Sequence, residues 1–352
     1  MKSNSSILGP RYDVLGASYA VMQQDAKSEA RSAILKLLEK SNPEPTSCLC
    51  GEDSESQTEV LAEIDRWGLP VKNVICKTCG LVRIHPRYEH SVYEHIYINI
   101  YWKLVHGAKE LTEKRFLFSV KRAKPFADHL TNNFELAGKK VLEIGASYGA
   151  GLYRLKDSNC EKLVGYDYDK EFLDKGREYT ALDLRYGGVD EAVHDEEQYD
   201  LVILRHVFEH FLDPARELSS LSKLLGKDGM LFIEVPGVYN MTYWYDDPLH
   251  YFDFFHPYSY TLGTLKNEMM KNGYVLHKGN EHVYSFWKYK GEMLGSDTNA
   301  VEAERIQKYI NKVERKRARR EKFQSTFLGK VIFKIIYTIE VTKKRLFSKT
   351  QN

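Results

Sequence analysis

Short apolar runs that stop at an acid, a glycine or a proline recur through the middle of the chain. They fall at residues 140–144, 163–167, 199–204 and 229–236, and each has the length and composition of a buried strand. After the first run the spacing changes. Leu152 and Leu155 restore a helical period, so a strand–turn–helix unit is predicted there. Residues 274–277 and 283–287, separated by Lys278-Gly279-Asn280, read as a closing hairpin. Toward the amino terminus one helical pattern surrounds Ile34, Leu35, Leu37 and Leu38. Asn42-Pro43-Glu44-Pro45 breaks it, because proline lacks a donor and restricts the residue before it. At the other end, residues 301–325 are strongly charged and helix-favouring. A second segment then sets Phe327, Leu328, Val331, Ile332, Ile335, Ile336 and Ile339 on one side, with Lys330, Lys334 and Lys344 on the other.

Composition changes this picture only through its distribution. The chain has 352 residues, enough for a sizeable core and more than one domain. With 28% charged and 43% hydrophobic residues it is ordinary for a globular protein. The net charge of +2 conceals an asymmetry: residues 301–352 carry 15 Lys and Arg against 5 Asp and Glu, a net of +10, leaving −8 for residues 1–300. The first twenty residues lack the continuous apolar stretch of a secretory signal, and no run is long enough to span a bilayer. A reducing cytoplasm is the expected compartment.

Four of the five cysteines fall in pairs, Cys48-Leu49-Cys50-Gly51 and Cys76-Lys77-Thr78-Cys79-Gly80. The second pair has the spacing of a knuckle that presents two thiolates to one metal. Four thiolates suit tetrahedral zinc, and such a site would be closed and structural. A redox C-x-x-C and unrelated buried thiols are the alternatives. Cys160 is left over as a small core residue.

The densest chemistry lies where the first strand ends, at Glu143-Ile144-Gly145-Ala146-Ser147-Tyr148-Gly149. Glycines at 145 and 149 let the backbone turn sharply and bring a ligand against main-chain N–H groups. Glu143 can accept hydrogen bonds from a cationic or hydroxylated ligand at the carboxyl end of its strand, where open α/β sheets hold ligands. Asp167 ends the second strand in position to meet a ribose.

Taken in order, these strands and their acids resemble a class I S-adenosylmethionine-dependent methyltransferase, with a Rossmann-like seven-stranded sheet. The resemblance implies that Gly145, Ala146 and Gly149 hold the methionine moiety and that Asp167 holds the ribose. Tyr168 would cover the adenosine edge, and Asp190, after Gly187-Gly188, would close the third strand near the adenine. Ser147 stands where many relatives carry glycine. Cys76 to Val82, then Pro86-Arg87, then Tyr93, Tyr97 and Tyr101, are similar to a group of bacterial methyltransferases of nucleotide-sugar and polysaccharide pathways, over residues 47–290. The three tyrosines fall at i, i+4 and i+8 on one helical face, as a packing stripe or a substrate-facing lid.

The fourth strand runs into Arg205-His206-Val207-Phe208-Glu209-His210, a segment that in the family passes beneath the methyl donor, which places Arg205 among the cofactor-binding positions. On a helical turn His206, Glu209 and His210 would share a face, a competent half-site for a divalent metal or a set supporting the cofactor loop. His256, four before Tyr260, occupies the offset at which sugar C-methyltransferases of this group carry a pocket histidine. Their "Y-H-E-H" is absent, since this chain has Asp253-Phe254-Phe255-His256. A small-RNA 2′-O-methyltransferase family has a similar acid and histidine cluster, with a histidine at this same offset, binding a metal together. By that likeness His206, Glu209, His210 and His256 would be ligands and the acceptor a hydroxyl. Without a metal, His256 would act as the general base, with His206 and His210 beside it.

The expected organisation is therefore a helical tether (1–46), a Cys₄ zinc module (47–100), a helical linker or lid (101–137), a methyltransferase domain (138–292) and a basic amphipathic helical tail (293–352). The expected function is methyl transfer from S-adenosylmethionine to a sugar or glycan-pathway intermediate, with structural zinc. The alternatives are metal-assisted O-methylation of another hydroxylated acceptor, RNA included, and a cofactor-binding adaptor recruited through the tail. Residues 326–346 would lie in a membrane interface, aided by the basic run 315–320, or dock on the protein itself.

Overall fold

The computed structural model describes residues 6–14, 25–107, 111–244, 247–295, 300–326 and 328. The apolar face proposed for a membrane, residues 326–346, lies almost wholly outside them. No helix among the described residues is long and apolar enough to cross a membrane.

Among the described residues eleven strands form two sheets. The chain first lays down β1 (Thr58–Ala62), β2 (Asn73–Cys76) and β3 (Val82–Ile84). Five strands follow: β4 (Lys140–Ile144), β5 (Lys162–Asp167), β6 (Asp183–Tyr186), β7 (Tyr199–Arg205) and β8 (Leu225–Glu234). A short β9 (Tyr258–Ser259) precedes the hairpin of β10 (Tyr274–Gly279) and β11 (Tyr284–Tyr289). The large sheet has the order β10-β11-β8-β7-β4-β5-β6. Strands β4 to β8 run parallel, and β11 pairs antiparallel with β8 and with β10. Central strands of such a sheet are covered on both faces, which is why residues 141–144 and 201–204 read as continuous apolar runs. Strand order reverses beside β4, between β5 and β7, and the crevice at that switch point opens over Glu143 and Arg205.

The small sheet has the order β1-β2-β3-β9, so its last strand is contributed by the catalytic half of the chain. Val82 pairs with Ser259 and Arg83 with Tyr258, and Ile84 N–H donates to the Pro257 carbonyl at 3.0 Å. Cys48, Cys76, Cys79 and Leu81 belong to the same apolar core as Leu142, Val202, Ile233 and Trp287. The cysteine segment and the large sheet thus share one interior.

The charged stretch near the carboxyl end is a docked helix, Ala300–Ser325. It buries Ala303, Ile306, Ile310 and Val313 against Leu8, Ile75, Val82, Val238 and Phe252. Gly80 makes this approach possible. Its φ is +83°, and a Cβ there would lie 3.0 Å from the Ala303 amide nitrogen. Within the basic run, Arg317 is committed to Glu314 and Glu321, each at 2.7 Å, and Tyr12 bonds to the same Glu314 at 2.5 Å. Beside them Arg11 pairs with Asp247, at the start of the loop that carries His256.

Candidate active site

Glu143 ends β4 fully buried, and neither of its carboxylate oxygens has a hydrogen-bond partner among the described residues. Arg205, at the end of the neighbouring β7, brings its Nη2 to 3.4 Å from Oε1. Burial raises the Glu143 pKa, and Arg205 opposes it. A buried carboxylate left this short of donors is an unfilled acceptor aimed at the crevice. The loop after it is a chain of left-handed residues: Gly145 at φ +73°, Ser147 at +51° and Gly149 at +73°. A Cβ at Gly145 would collide with Val207 Cγ2. The Tyr166 carbonyl accepts from the amides of Gly145 and Ala146, at 2.8 and 2.9 Å. Asp167 completes the tie, with Oδ2 accepting from Ser147 N–H and Oδ1 from Asp169 N–H, both at 2.8 Å. Burial raises Asp167 as well, against those amide donors.

Tyr168 and Asp190 lie farther out. Tyr168 is 53% exposed and donates to Glu191 at 3.1 Å, while the same Glu191 oxygen accepts from Gly188 N–H. Asp190 forms an ion pair with Arg216 at 2.6 Å. Both stand on the rim of the crevice beside the third strand.

The second group of site residues follows β7. His206 was expected on a helical turn, but it precedes the short 3₁₀ turn Phe208–His210 and has φ +55°. Its side chain still reaches two acids, Glu209 from Nδ1 and Glu234 from Nε2, each at 3.4 Å. Nearly half of that side chain meets solvent, although protein surrounds it in the cleft. Desolvation works against its charge, but the two carboxylates prevail and raise His206 to about 10. Glu234, the acid that ends β8, was not singled out in the sequence. It carries the signal that marked Asp167, an acid closing a buried run.

Glu209 is buried with both oxygens unbonded among the described residues. Burial would raise its pKa, but the contact with His206 lowers it, so it is ionised. His210 Nδ1 donates to the Phe255 carbonyl at 2.7 Å, so Nε2 is the nitrogen not used in that bond. The rings of His210 and His256 are 5.0 Å apart, and burial drops His256 to about 4, so it is neutral near pH 7. One donor atom from each of Glu209, His210 and His256 lies within 4.8 Å of the others.

The small sheet and its loops hold His256 in this place. Asp65, buried, accepts from the amides of Trp67, Leu69 and Phe254 at 2.8 to 2.9 Å. Asp253 accepts from Trp67 Nε1 at 3.2 Å and faces Arg66 at 3.6 Å. The neighbouring Tyr251, Phe252, Phe254 and Phe255 are all buried, so the aromatic density of this loop packs a core and does not face an acceptor. The tyrosine stripe divides. Ile100 separates helices His90–Asn99 and Tyr101–His106. Tyr93 is buried and stacks on Phe254, whereas Tyr97 faces the cleft.

The four paired cysteines converge too. Cys48 and Cys79 sulfurs are 3.6 Å apart, Cys50 and Cys76 sulfurs 3.8 Å, and all four lie within 4.8 Å of one another. Zinc–sulfur bonds of about 2.3 Å in a tetrahedron require sulfurs roughly 3.8 Å apart. Leu81 N–H points at Cys79 Sγ at 3.5 Å. No disulfide joins them.

The profile of the methyltransferase-domain family matches residues 118–278. These residues are a class I S-adenosylmethionine-dependent methyltransferase domain. The matched span runs from the helix before β4 to β10 and contains Glu143, Asp167, the 205–210 segment and His256. The tRNA U34 carboxymethyltransferase of Campylobacter hominis is 31% identical over 121 residues, 32% of this chain and 38% of that protein. The ubiquinone biosynthesis O-methyltransferase of Neisseria meningitidis serogroup A is 28% identical over 112 residues, 30% of this chain and 47% of that one. The chain thus spans less than half the length of these relatives, and neither is named for a sugar or polysaccharide. Among solved structures, the magnesium protoporphyrin IX methyltransferase of Synechocystis PCC 6803 aligns with a TM-score of 0.38 and 15% identity, covering 53% of this chain and 90% of that one.

Proposed function

We propose that this chain transfers a methyl group from S-adenosylmethionine to a hydroxyl oxygen, with the hydroxyl held at a divalent cation bound by Glu209, His210 and His256. The single observation that carries this reading is the convergence of a buried, ionised carboxylate with two imidazoles, one donor atom of each lying within 4.8 Å of the others. That is the protonation state a metal demands of its ligands. The carbonyl bond that fixes the His210 tautomer is the usual outer support of a ligating histidine. Such an ion would lower the pKa of the acceptor hydroxyl and orient it. A histidine at about 4 is a weak base at neutral pH, which favours ligation by His256 over proton removal by His256 alone.

The cofactor fits the other half of the crevice. Glu143 would receive the methionine ammonium, the left-handed loop from Gly145 to Gly149 would lie along the methionine moiety, and Asp167 would meet the ribose hydroxyls. Tyr168 and Asp190 would border the adenine. Bound S-adenosylmethionine supplies a sulfonium methyl already activated for in-line transfer, so the chain's main contribution is positioning. Arg205 balances Glu143, and His206, charged, steadies Glu209 from the side opposite His256. Cys48, Cys50, Cys76 and Cys79 would hold one structural zinc, with no open position for chemistry.

The names of the relatives direct attention to RNA and to quinone precursors as acceptor pools, ahead of a glycan. The sugar expectation rests on the resemblance of the cysteine and tyrosine segment alone, and neither relative supports it. The test is metal analysis beside cofactor binding. Purified protein is expected to hold one zinc through dialysis against a mild chelator, and to bind one further Mn²⁺ seen by electron paramagnetic resonance. His210→Ala and His256→Ala should lose the Mn²⁺ and keep both zinc and S-adenosylhomocysteine binding by calorimetry. If Mn²⁺ does not bind, or binds the variants equally, the metal-assisted mechanism is wrong. Labelled methyl transfer to bulk RNA against an organic extract then separates the acceptor pools, and transfer to neither favours an adaptor.

A further inference from the structure

The tyrosine stripe holds one residue whose environment fits no packing role. Tyr93 is buried in the core, but Tyr97, one turn later, keeps 49% of its surface exposed. It is nonetheless fixed. Its ring stacks on Tyr101 at 4.9 Å and 19°, and Tyr101 in turn meets Phe255 edge-on at 4.6 Å. Tyr97 also presents an edge toward His210 at 6.3 Å. Its hydroxyl feels the charges of Asp167 and Asp169 on the cofactor side and of Glu209 on the metal side. A half-exposed aromatic ring at the junction of two half-sites leaves apolar surface uncovered at the point where an acceptor must enter. Flexible aromatic side chains lose entropy when they stack on a ligand, whereas this one is already ordered by its neighbours.

From this geometry we infer that Tyr97 is the specificity-determining platform of the site, stacking a flat, π-faced ring whose hydroxyl points at the Glu209–His210–His256 cluster. Tyr101 and Phe255 hold the platform in place. The rings of Tyr101 and His210 border Tyr97, and a flat ring laid on a flat ring is the arrangement such a border favours. The acceptor class is therefore a flat aromatic or heteroaromatic ring that bears a hydroxyl itself or on an attached ribose, either a phenolic compound or a nucleoside. This inference rests on the proposed metal-assisted site and names its substrate class.

Catechol and cyclohexane-1,2-diol, which present the same two oxygens on a flat and a puckered ring, make the test. Uridine serves as a nucleoside arm. Each is titrated by calorimetry into full-length protein loaded with Mn²⁺ and S-adenosylhomocysteine, while paramagnetic resonance follows the ion. Catechol is the more acidic of the two diols and favours Mn²⁺ on that ground alone, so the reading is the change in the catechol-to-diol affinity ratio. Tyr97→Leu should lower that ratio roughly three- to tenfold, the range expected of one aromatic stack, and Tyr97→Phe should keep it, with Mn²⁺ and cofactor affinity unchanged in both. A tighter catechol than uridine assigns a phenolic acceptor, and the reverse assigns a nucleoside. No binding of any probe, or a catechol-to-diol ratio that Tyr97→Leu leaves unchanged with Mn²⁺ in place, overturns the platform alone. Failure of the wild-type protein to take up Mn²⁺ overturns the metal site beneath it.

Discussion

Two residues at the crevice trade folding stability for ligand contact in opposite senses. Glu143 is buried without a hydrogen bond, so the apo protein carries an uncompensated acceptor there. Glu143→Gln removes the charge, and the apo protein should become no less stable, by up to about 1 kcal/mol more stable in urea unfolding. Its affinity for S-adenosylhomocysteine should fall about tenfold or more, the loss of one charge-assisted hydrogen bond in a dry site. A parallel loss of stability and affinity would show that Glu143 is structural. His206 works the other way. Its pKa, raised to about 10 by Glu209 and Glu234, lies above the value of about 6.5 it has in an unfolded chain. Its contribution is therefore fully present below pH 6.5 and is lost as pH rises toward 10. Melting curves of metal-free protein should place His206→Gln below wild type at pH 6, with the gap closing by pH 10. A gap constant across that range would mean that His206 is neutral in the fold.

Among the elements, the decisive join is between the carboxyl-terminal helix and the cysteine turn. Gly80 is left-handed and pressed against the backbone of Ala303. Gly80→Ala would strain φ and push the helix off at once, and should destabilise the protein by about 2 kcal/mol or more. Hydrogen exchange should show the helix Ala300–Ser325 losing protection first. If protection is lost evenly through the chain, the helix and the turn are not coupled as their contact implies. Strand β9 is a second join. Two residues long, it places His256-Pro257 against β3, and through β3 against the cysteine turn.

For the whole molecule these joins imply one cooperative unit. The cysteines lie in the core that lines β4, β7 and β8. Strong chelation that strips zinc should lower the melting temperature of the entire chain by 5 °C or more, in a single calorimetric transition, because structural zinc contributes folding free energy directly. Once the chelator is removed, the zinc-free protein should also fail to take up Mn²⁺ at the proposed Glu209–His210–His256 site, since the His256 loop is held by the small sheet. Two separate transitions, with Mn²⁺ binding intact after zinc loss, would show that the cysteine segment is an independent appendage.

Much of this was legible in the chain. The apolar runs and their closing acids gave β4, β5, β7 and β8 and located Glu143 and Asp167, because a doubly covered strand must be apolar throughout and must end where ligands are reached. The hairpin and the cysteine pairs were local signals of the same kind, each fixed by residues a few positions apart. What tertiary structure alone decided are meetings between distant segments. His256 lies nearly fifty residues from Glu209 and His210 in sequence, and β9 joining the small sheet helps set it beside them. Pattern could not separate a buried aromatic from an exposed one, so Tyr93 and Tyr97, one turn apart, looked alike until packing buried one and left the other facing the cleft. Local sequence sets backbone preference and the side that is apolar. Which charges meet, which acids stay unbonded and which rings face the cleft depend on how distant surfaces close on one another, and that is a property of the whole fold.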